Sequence, residues 1–200
     1  MISTSIGLAD MVIKIFTYYV FDMLWHNRSR FRVKPCVILL TGLSGSGKST
    51  IATHLSEILD SMNVQNILLD GDDVRQSLRI NGFDSDTRKK HNENVGRLAS
   101  IFESYQKVVI ISMISPYADV RSYMKECCAT FYEVYLSTSL DECIRRDVKG
   151  IYKSERSGNV KMLTGVSDPY EIPTHPDLVI NTENVNIRDS VELILKKISK

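Results

Sequence analysis

The residue types and spacing that most directly indicate chemistry belong to a glycine-rich run at residues 42–50. The run reads Gly42-Leu43-Ser44-Gly45-Ser46-Gly47-Lys48-Ser49-Thr50 and fits the pattern G-x-x-x-x-G-K-[ST]. Its glycines let consecutive backbone N–H groups converge on phosphate oxygens, and a helix start adds partial positive charge. In such a loop Lys48 reaches the β- and γ-phosphates, and the Ser49 hydroxyl ligates Mg²⁺. We therefore predict a nucleotide-phosphate site.

The sequence on either side of this loop predicts the elements that position it. Residues 36–40 form an apolar run of the kind found in buried strands, and residues 51–59 carry apolar residues at helical spacing. Strand, loop and helix in this order are the context that a phosphate-binding loop requires. A glycine-rich turn without function is the alternative, and it does not account for both flanks.

A second group of polar residues follows the next predicted strand, at residues 66–70. Asp70 and Asp72 stand at its carboxyl end, where ligands gather in parallel α/β sheets. Phosphoryl transfer to a hydroxyl needs an anion that orients the acceptor and takes its proton, and it needs help in holding Mg²⁺. Arg75, one helical turn further on, can pin an anionic acceptor with a bidentate contact. Asp-Gly-Asp alone is a common turn. The functional interpretation therefore depends on its position after the strand that follows the phosphate-loop helix.

Composition limits the function classes. The chain has 200 residues, of which 24% are charged, and a net charge of +1. This size suits one α/β domain, and no bulk positive field indicates a nucleic-acid partner. The cysteines form no C-x-x-C pair and lack zinc-site spacing, so we expect reduced thiols in a cytoplasmic protein. They are Cys36, Cys127, Cys128 and Cys143.

Strands and helices are predicted to alternate along the chain. The predicted strands span residues 36–41, 66–70, 107–113, 132–136 and 177–180. The predicted helices span residues 48–61, 73–79, 86–105, 118–129, 140–147 and 187–199. Near-continuous apolar strands are typical of a parallel sheet that is buried on both faces. We expect an α/β fold of the P-loop NTPase type, a parallel sheet covered by helices on both faces, with a lid and an extra N-terminal amphipathic helix.

Two segments lie outside this alternation. From Leu8 to Trp25 the charged residues share one helical face, which predicts an amphipathic helix rather than a membrane span. Such a helix can dock on the domain or on a second subunit, as in a homodimer, or rest on a membrane surface. Residues 149–173 are polar, basic and punctuated by glycines, which favours a lid that closes over phosphates. An ordinary surface excursion is the alternative for this second segment.

With these motifs in view, the chain resembles the adenylyl-sulfate kinases, which use ATP to phosphorylate the ribose 3′-hydroxyl of adenylyl sulfate. The resemblance implies an N-terminal extension at residues 1–34 and a P-loop kinase domain at residues 35–200. It rests on several separate motifs in the family's order. They are Trp25-His26, the loop at 42–50, residues 69–75, Asn81-Gly82-Phe83 with Arg88, Ile114-Ser115-Pro116-Tyr117, and residues 146–153 and 164–171.

The resemblance assigns expected roles to matching positions. Asp72 corresponds to the general base, with Lys48, Asp70 and Ser115 as further catalytic residues, although Ser115 and Ile114 are more economically interpreted as substrate contacts. Phe83 corresponds to one half of an aromatic clamp. Arg75 and Arg88 correspond to contacts with the phosphosulfate, and Lys149 to a lid cation. Arg146, Thr164 and Gly165 correspond to the wall around the ATP adenine, and Ser49 and Asp70 to Mg²⁺ ligands.

The chain departs from the family pattern on the acceptor side. Where the family usually reads Lys-Glu-Asn-Ile-Arg-Arg, this chain reads Lys-Lys-His-Asn-Glu-Asn at residues 89–94, so His91 replaces a substrate-contacting Asn. Leu163 replaces the second aromatic residue of the clamp. The altered residues keep two other hypotheses open: a kinase of the same fold with another nucleotide-linked acceptor, such as cytidine diphosphoramidate in capsule biosynthesis, and a nucleotide-binding subunit without turnover.

Overall fold

The computed structural model describes residues 33–157 and 163–199. Over these ranges the strands are β1 (Cys36–Thr41), β2 (Asn66–Asp70), β3 (Val108–Ser112), β4 (Phe131–Leu136) and β5 (Leu178–Ile180). The helices are α1 (Lys48–Ser61), α2 (Gly71–Ser77), α3 (Ser85–Ser104), α4 (Ala118–Cys127), α5 (Leu140–Arg146), α6 (Ile151–Arg156) and α7 (Ile187–Ile198). The predicted N-terminal helix, Trp25-His26 and residues 158–162 of the predicted lid lie outside the described residues.

The strands form one parallel sheet in the order β2-β3-β1-β4-β5. Strand β3 therefore lies between β1 and β2, and Ser112 at its end pairs with Leu40 on one side and Asp70 on the other. Because the strands are parallel, the loops that follow their carboxyl ends meet at one edge of the sheet. This architecture confirms the predicted α/β fold with a parallel sheet, and within the described residues every predicted strand and helix is present.

Alternation along the central strand sends side chains to two separate cores. Ile38 and Leu40 of β1 pack with α1 and α7 on one face. Val37 and Leu39 pack with α3 and α4 on the other face. All four side chains are fully buried, as expected for a strand with period-two alternation that is covered on both sides. The two cores fix both the phosphate-loop strand and the helices that flank the site.

Helix α6 is an element that the sequence interpretation missed, because it falls in the segment predicted as a lid loop. It begins after Gly150, which adopts a left-handed conformation, and it buries Tyr152 against Cys143 and Leu163. The segment is therefore partly helical, anchored by one aromatic side chain. Separately, none of the helices in the described ranges combines the length and the apolar content that a membrane crossing demands.

The crossing of α3 and α4 depends on Gly96, and this dependence can be tested. A Cβ atom at Gly96 would lie 2.8 Å from Cγ of Met124, which is fully buried. In an exposed helix Gly→Ala stabilises by about 1 kcal/mol, but here overpacking dominates. We expect Gly96→Ala to lower the free energy of unfolding by about 1–3 kcal/mol, measured by urea denaturation. The exposed Asn94→Ala on the same helix should not destabilise.

Candidate active site

The phosphate loop is shaped by glycines in conformations that other residues avoid. Gly47, the N-cap of α1, has φ of 96°, in the left-handed region. At Gly42 a Cβ atom would lie 2.7 Å from the carbonyl oxygen of Leu136, so the loop passes too close to β4 for any side chain. The loop thus leaves β1, turns against the end of β4 and enters α1 with its backbone free to face a ligand.

Lys48 folds back over the loop that it follows. Its ammonium donates to the carbonyl oxygens of Leu43 at 2.7 Å and Gly42 at 3.0 Å. The side chain is buried, and burial lowers the pKa of Lys48 to about 8. Phosphate oxygens are stronger partners for an ammonium than carbonyl oxygens are. Lys48 is therefore placed to exchange these carbonyls for the phosphates of a bound nucleotide.

Side-chain oxygen atoms join the phosphate loop to residues 70–72, which we call the carboxylate turn. The Ser49 hydroxyl donates to Oδ2 of Asp70 at 2.9 Å and lies 3.1 Å from the Ser112 hydroxyl. Within the described ranges no group of three or more His, Cys, Asp or Glu side chains is arranged as a metal cage. Mg²⁺ in kinases needs fewer protein ligands, because phosphates and water complete its shell. One serine and one aspartate therefore fit Mg²⁺ bound with a nucleotide.

The carboxylate turn itself is pinned by its own side chain. Oδ1 of Asp70 accepts from the backbone N–H of Asp72 at 3.0 Å and caps α2. The Asp72 side chain is 70% exposed and forms an ion pair with Lys149. That contact raises the pKa of Lys149, chiefly through the hydrogen bond to Asp72. Asp72, the candidate base, therefore faces the cleft and forms an ion pair with Lys149 of the predicted lid.

The predicted acceptor-side arginines differ in their freedom to bind a ligand. Arg75 donates to the Gly82 carbonyl oxygen at 2.7 Å and lies 4.9 Å from the centre of the Phe83 ring, which is 63% exposed. Arg88 is nearly buried and donates to Thr164 at 2.7 Å and Asp168 at 2.6 Å. Arg75 and Phe83 thus form an open surface, whereas Arg88 fastens α3 to residues 164–168.

Ser115 has a buried hydroxyl in an unusual backbone conformation. The backbone φ of Ser115 is 46°, and the residue is 1% exposed. Its hydroxyl lies 3.3 Å from Nδ2 of Asn92 and 3.8 Å from Sδ of Met124. The Ser115 carbonyl oxygen accepts from Arg121 at 2.8 Å. These contacts turn the hydroxyl toward the protein interior and give Ser115 a place in the wall of the cleft.

The donor end of the cleft is built around Arg146. Its guanidinium donates to the hydroxyl of Thr182 at 2.9 Å and to the Thr182 carbonyl oxygen at 3.0 Å, and it pairs with Glu142. Apolar side chains that the sequence analysis did not identify complete this end. They are Val185 and Ile187, in the segment that follows β5. No motif marks them, because the loop after β5 reaches the site only through the order of strands in the sheet.

One cleft of about 1140 Å³ unites the donor and acceptor halves. Most of the residues predicted from the sequence line it. They are Ser44, Gly45, Gly47, Lys48, Ser49, Thr50, Asp70, Asp72, Arg75, Phe83, Arg88, His91, Ile114, Ser115, Arg146, Lys149, Leu163 and Thr164. Of the other loop residues, Gly42 lies against Leu136, Ser46 is fully buried and Leu43 lines a neighbouring groove. Gly165 packs against Leu43 in a neighbouring groove, and Thr164 accepts a hydrogen bond from Arg88.

Comparisons with known proteins agree on one family. Residues 34–181 match the model described as Adenylylsulphate kinase. A probable adenylyl-sulfate kinase of Halalkalibacterium halodurans is 37% identical over 183 residues, 86% of this chain and 91% of that protein. The adenylyl-sulfate kinase of Oceanobacillus iheyensis is 39% identical, covering 81% and 83%. The structure of Mycobacterium tuberculosis APS kinase CysC in complex with AMPPNP and APS gives a TM-score of 0.81 at 29% identity, covering 84% and 100%.

The contacts of Arg146 predict that a substitution there weakens ATP binding. Its neighbour Arg145 offers a matched control substitution. Lysine at this position keeps the charge but loses the paired contact with Thr182. Each charge-assisted hydrogen bond contributes about 1.5–3 kcal/mol, so we expect Arg146→Lys to weaken ATP binding by about tenfold or more. Titration calorimetry would measure this. Arg145 also pairs with Glu142 but is 74% exposed, and Arg145→Lys should bind ATP normally. Equal affinities of the two variants would contradict the prediction.

Proposed function

The chain belongs to the adenylylsulphate kinase family, and on this premise we propose that it transfers the γ-phosphoryl group of ATP to the ribose 3′-hydroxyl of adenylyl sulfate. Family membership confirms the resemblance inferred from the motifs. The observation that carries the proposal is the hydrogen bond between Ser49 and Asp70, which places the phosphate loop and the carboxylate turn at one cleft. A donor and an acceptor nucleotide bound there would meet between them.

The donor half holds and neutralises the phosphates of ATP. The loop N–H groups and the start of α1 face the phosphates, and Lys48 leaves the carbonyls of Gly42 and Leu43 for phosphate oxygens. Ser49 and Asp70 are the residues that would hold Mg²⁺, whose bound charge stabilises the developing charge on the phosphoryl group. Arg146 keeps the loop after β5 against the base of the donor.

Asp72 receives the proton of the attacking hydroxyl in this proposal. Its carboxylate is exposed to the cleft, and Lys149 pairs with it. An ion pair with so much solvent exposure is weak, so the approach of phosphates can draw Lys149 away. Asp72 is then free to accept the hydroxyl proton, while Lys149 adds positive charge over the transferring group.

The acceptor half orients the second nucleotide. Arg75 and Phe83 offer a cation and an exposed ring side by side, which suits an anionic group next to a base. Arg88 shapes this half by holding residues 164–168 against α3. The buried hydroxyl of Ser115 supports direct in-line transfer rather than a phosphoserine intermediate, because it bonds inward to Asn92 and Met124.

Two further proposals, on the oligomeric state and on the cellular compartment, rest on the sequence. The apolar face of the segment from Leu8 to Trp25 supports a homodimer, and size-exclusion chromatography with light scattering of the full chain tests it. Use of ATP and four cysteines without a disulfide support a cytoplasmic enzyme. The proposed partners are therefore small nucleotides, without a nucleic acid.

The acceptor is tested by direct assay. Purified full-length protein with ATP, Mg²⁺ and adenylyl sulfate should form 3′-phosphoadenylyl sulfate and ADP, measured by anion-exchange chromatography. Cytidine diphosphoramidate in a parallel reaction tests the other acceptor, which the loss of an aromatic residue at Leu163 motivates. Failure with adenylyl sulfate, in protein that still binds ATP, would overturn the proposed acceptor. Failure with all nucleotide-linked acceptors would favour a subunit without turnover.

The role of Asp72 predicts a loss of turnover without a loss of ATP binding. Asp72→Asn removes the proton acceptor but keeps the size of the side chain, so kcat should fall by about 10²–10⁴-fold. The KM for ATP should stay near the wild-type value, because Asp72 is assigned no contact with the donor. Asp73→Asn makes the same change one residue away, on the exposed start of α2, and should leave kcat nearly unchanged. Comparable kcat values for both variants would remove Asp72 from the mechanism.

A further inference from the structure

His91 makes one hydrogen bond where two are possible. It lies on α3, it is 2% exposed, and its Nε2 is 2.9 Å from the carbonyl oxygen of Gly71. Its Nδ1 is buried and has no hydrogen-bond partner among the residues that the structure describes. Buried polar side-chain atoms in folded proteins are nearly always paired, so this exception among the described residues requires an explanation.

The Gly71 contact fixes the form of the imidazole ring. A carbonyl oxygen can only accept, so Nε2 carries the hydrogen and Nδ1 is left with a lone pair. Burial, together with the positive charge of Arg75, lowers the pKa of His91, which favours this neutral form. An unpaired buried nitrogen costs free energy. The hydrogen bond from His91 to Gly71 offsets part of that cost.

Gly71 is the link between the two carboxylates of the site. It follows Asp70 and precedes Asp72, and as the first residue of α2 it already gives its carbonyl to the helix. A Cβ atom at Gly71 would lie 2.8 Å from Cβ of Met113, so the peptide is pressed against the end of β3. His91 adds a second bond to the same carbonyl from the opposite element, α3.

We propose that His91 is a positioning residue, which fixes the Gly71 peptide and thereby aims Asp70 and Asp72 into the cleft. Asp70 is further held by Ser49, and Asp72 by the cap that Asp70 makes. Without His91 the turn keeps these bonds but loses the hydrogen bond that α3 makes to the Gly71 carbonyl. A small displacement of catalytic carboxylates is enough to reduce turnover strongly. The inference rests on the proposed function for the role of Asp72, and on the Mg²⁺ site for the role of Asp70.

Two substitutions separate positioning from folding. His91→Gln keeps an N–H donor at similar reach, whereas His91→Leu removes the donor and the unpaired nitrogen together. For His91→Leu we expect kcat to fall about 10- to 100-fold, with an unfolding midpoint at or above that of the wild type. His91→Gln should retain kcat within about threefold of the wild type. His175→Gln, at an exposed histidine, is the matched control and should change neither quantity.

A second readout does not depend on the acceptor. Full-length protein is titrated with ATP in the presence of Mg²⁺ and in the presence of EDTA. His91→Leu should bind ATP normally in EDTA but should show a smaller gain in affinity from Mg²⁺, because Asp70 is displaced. If the wild type does not phosphorylate adenylyl sulfate, the proposed function fails, and this Mg²⁺-dependent gain still decides the role of His91.

The remaining outcomes overturn the inference. Wild-type kcat and a wild-type Mg²⁺ effect in His91→Leu would show that the bond to Gly71 positions nothing. An equal loss in His91→Gln and His91→Leu would show that the retained donor is irrelevant. A lower unfolding midpoint in His91→Leu, together with weaker ATP binding in EDTA, would assign His91 a structural role.

Discussion

The site depends on the hydrogen bond between Ser49 and Asp70. The strand order places β3 between the strand that precedes the phosphate loop and the strand that ends in Asp70, so the two halves are not sheet neighbours. The first turn of α1 bridges this gap, and Ser112 at the end of β3 lies beneath it, within 3.1 Å of Ser49. Contacts between the Ser49 hydroxyl and the oxygen atoms of Asp70 and Ser112 therefore join the start of α1 to the ends of β2 and β3.

The contacts of the cleft's lysines differ from those of two of its arginines, and the difference distinguishes movable from fixed residues. Lys48 rests on loop carbonyls and Lys149 on Asp72, and both contacts can be exchanged for phosphate oxygens. Arg88 and Arg146 instead make several bonds each, to the buried Thr164 and to the partly buried Asp168 and Thr182. Leaving a buried partner unpaired is costly, so these arginines stay in place. Lys48 and Lys149 thus have contacts that can be exchanged, whereas Arg88 and Arg146 hold the walls of the cleft in place.

The sequence was informative wherever a local pattern determines structure, and less so wherever structure depends on strand order. The period-two and helical patterns predicted every strand, and the loop at 42–50 predicted the donor site. Helix α6 was missed because a short basic segment with glycines has weak helical periodicity, and the burial of Tyr152 decides it. Val185 and Ile187 were missed because they enter the cleft from beyond β5. The bond from His91 to Gly71 joins residues whose contact no local pattern encodes.

The residues that depart from the family pattern make contacts mainly with the wall itself. His91 bonds to Gly71, and the neighbouring Asn92 bonds to Ser115, so both connect α3 to the turns that follow β2 and β3. Leu163 fills an apolar cluster with Cys143 and Tyr152 beneath the loop. Arg75, Phe83 and Lys149 still present positive charge and a ring to the cleft. His91 and Leu163 therefore make contacts that support the wall of the cleft, while Arg75, Phe83 and Lys149 line the cleft itself.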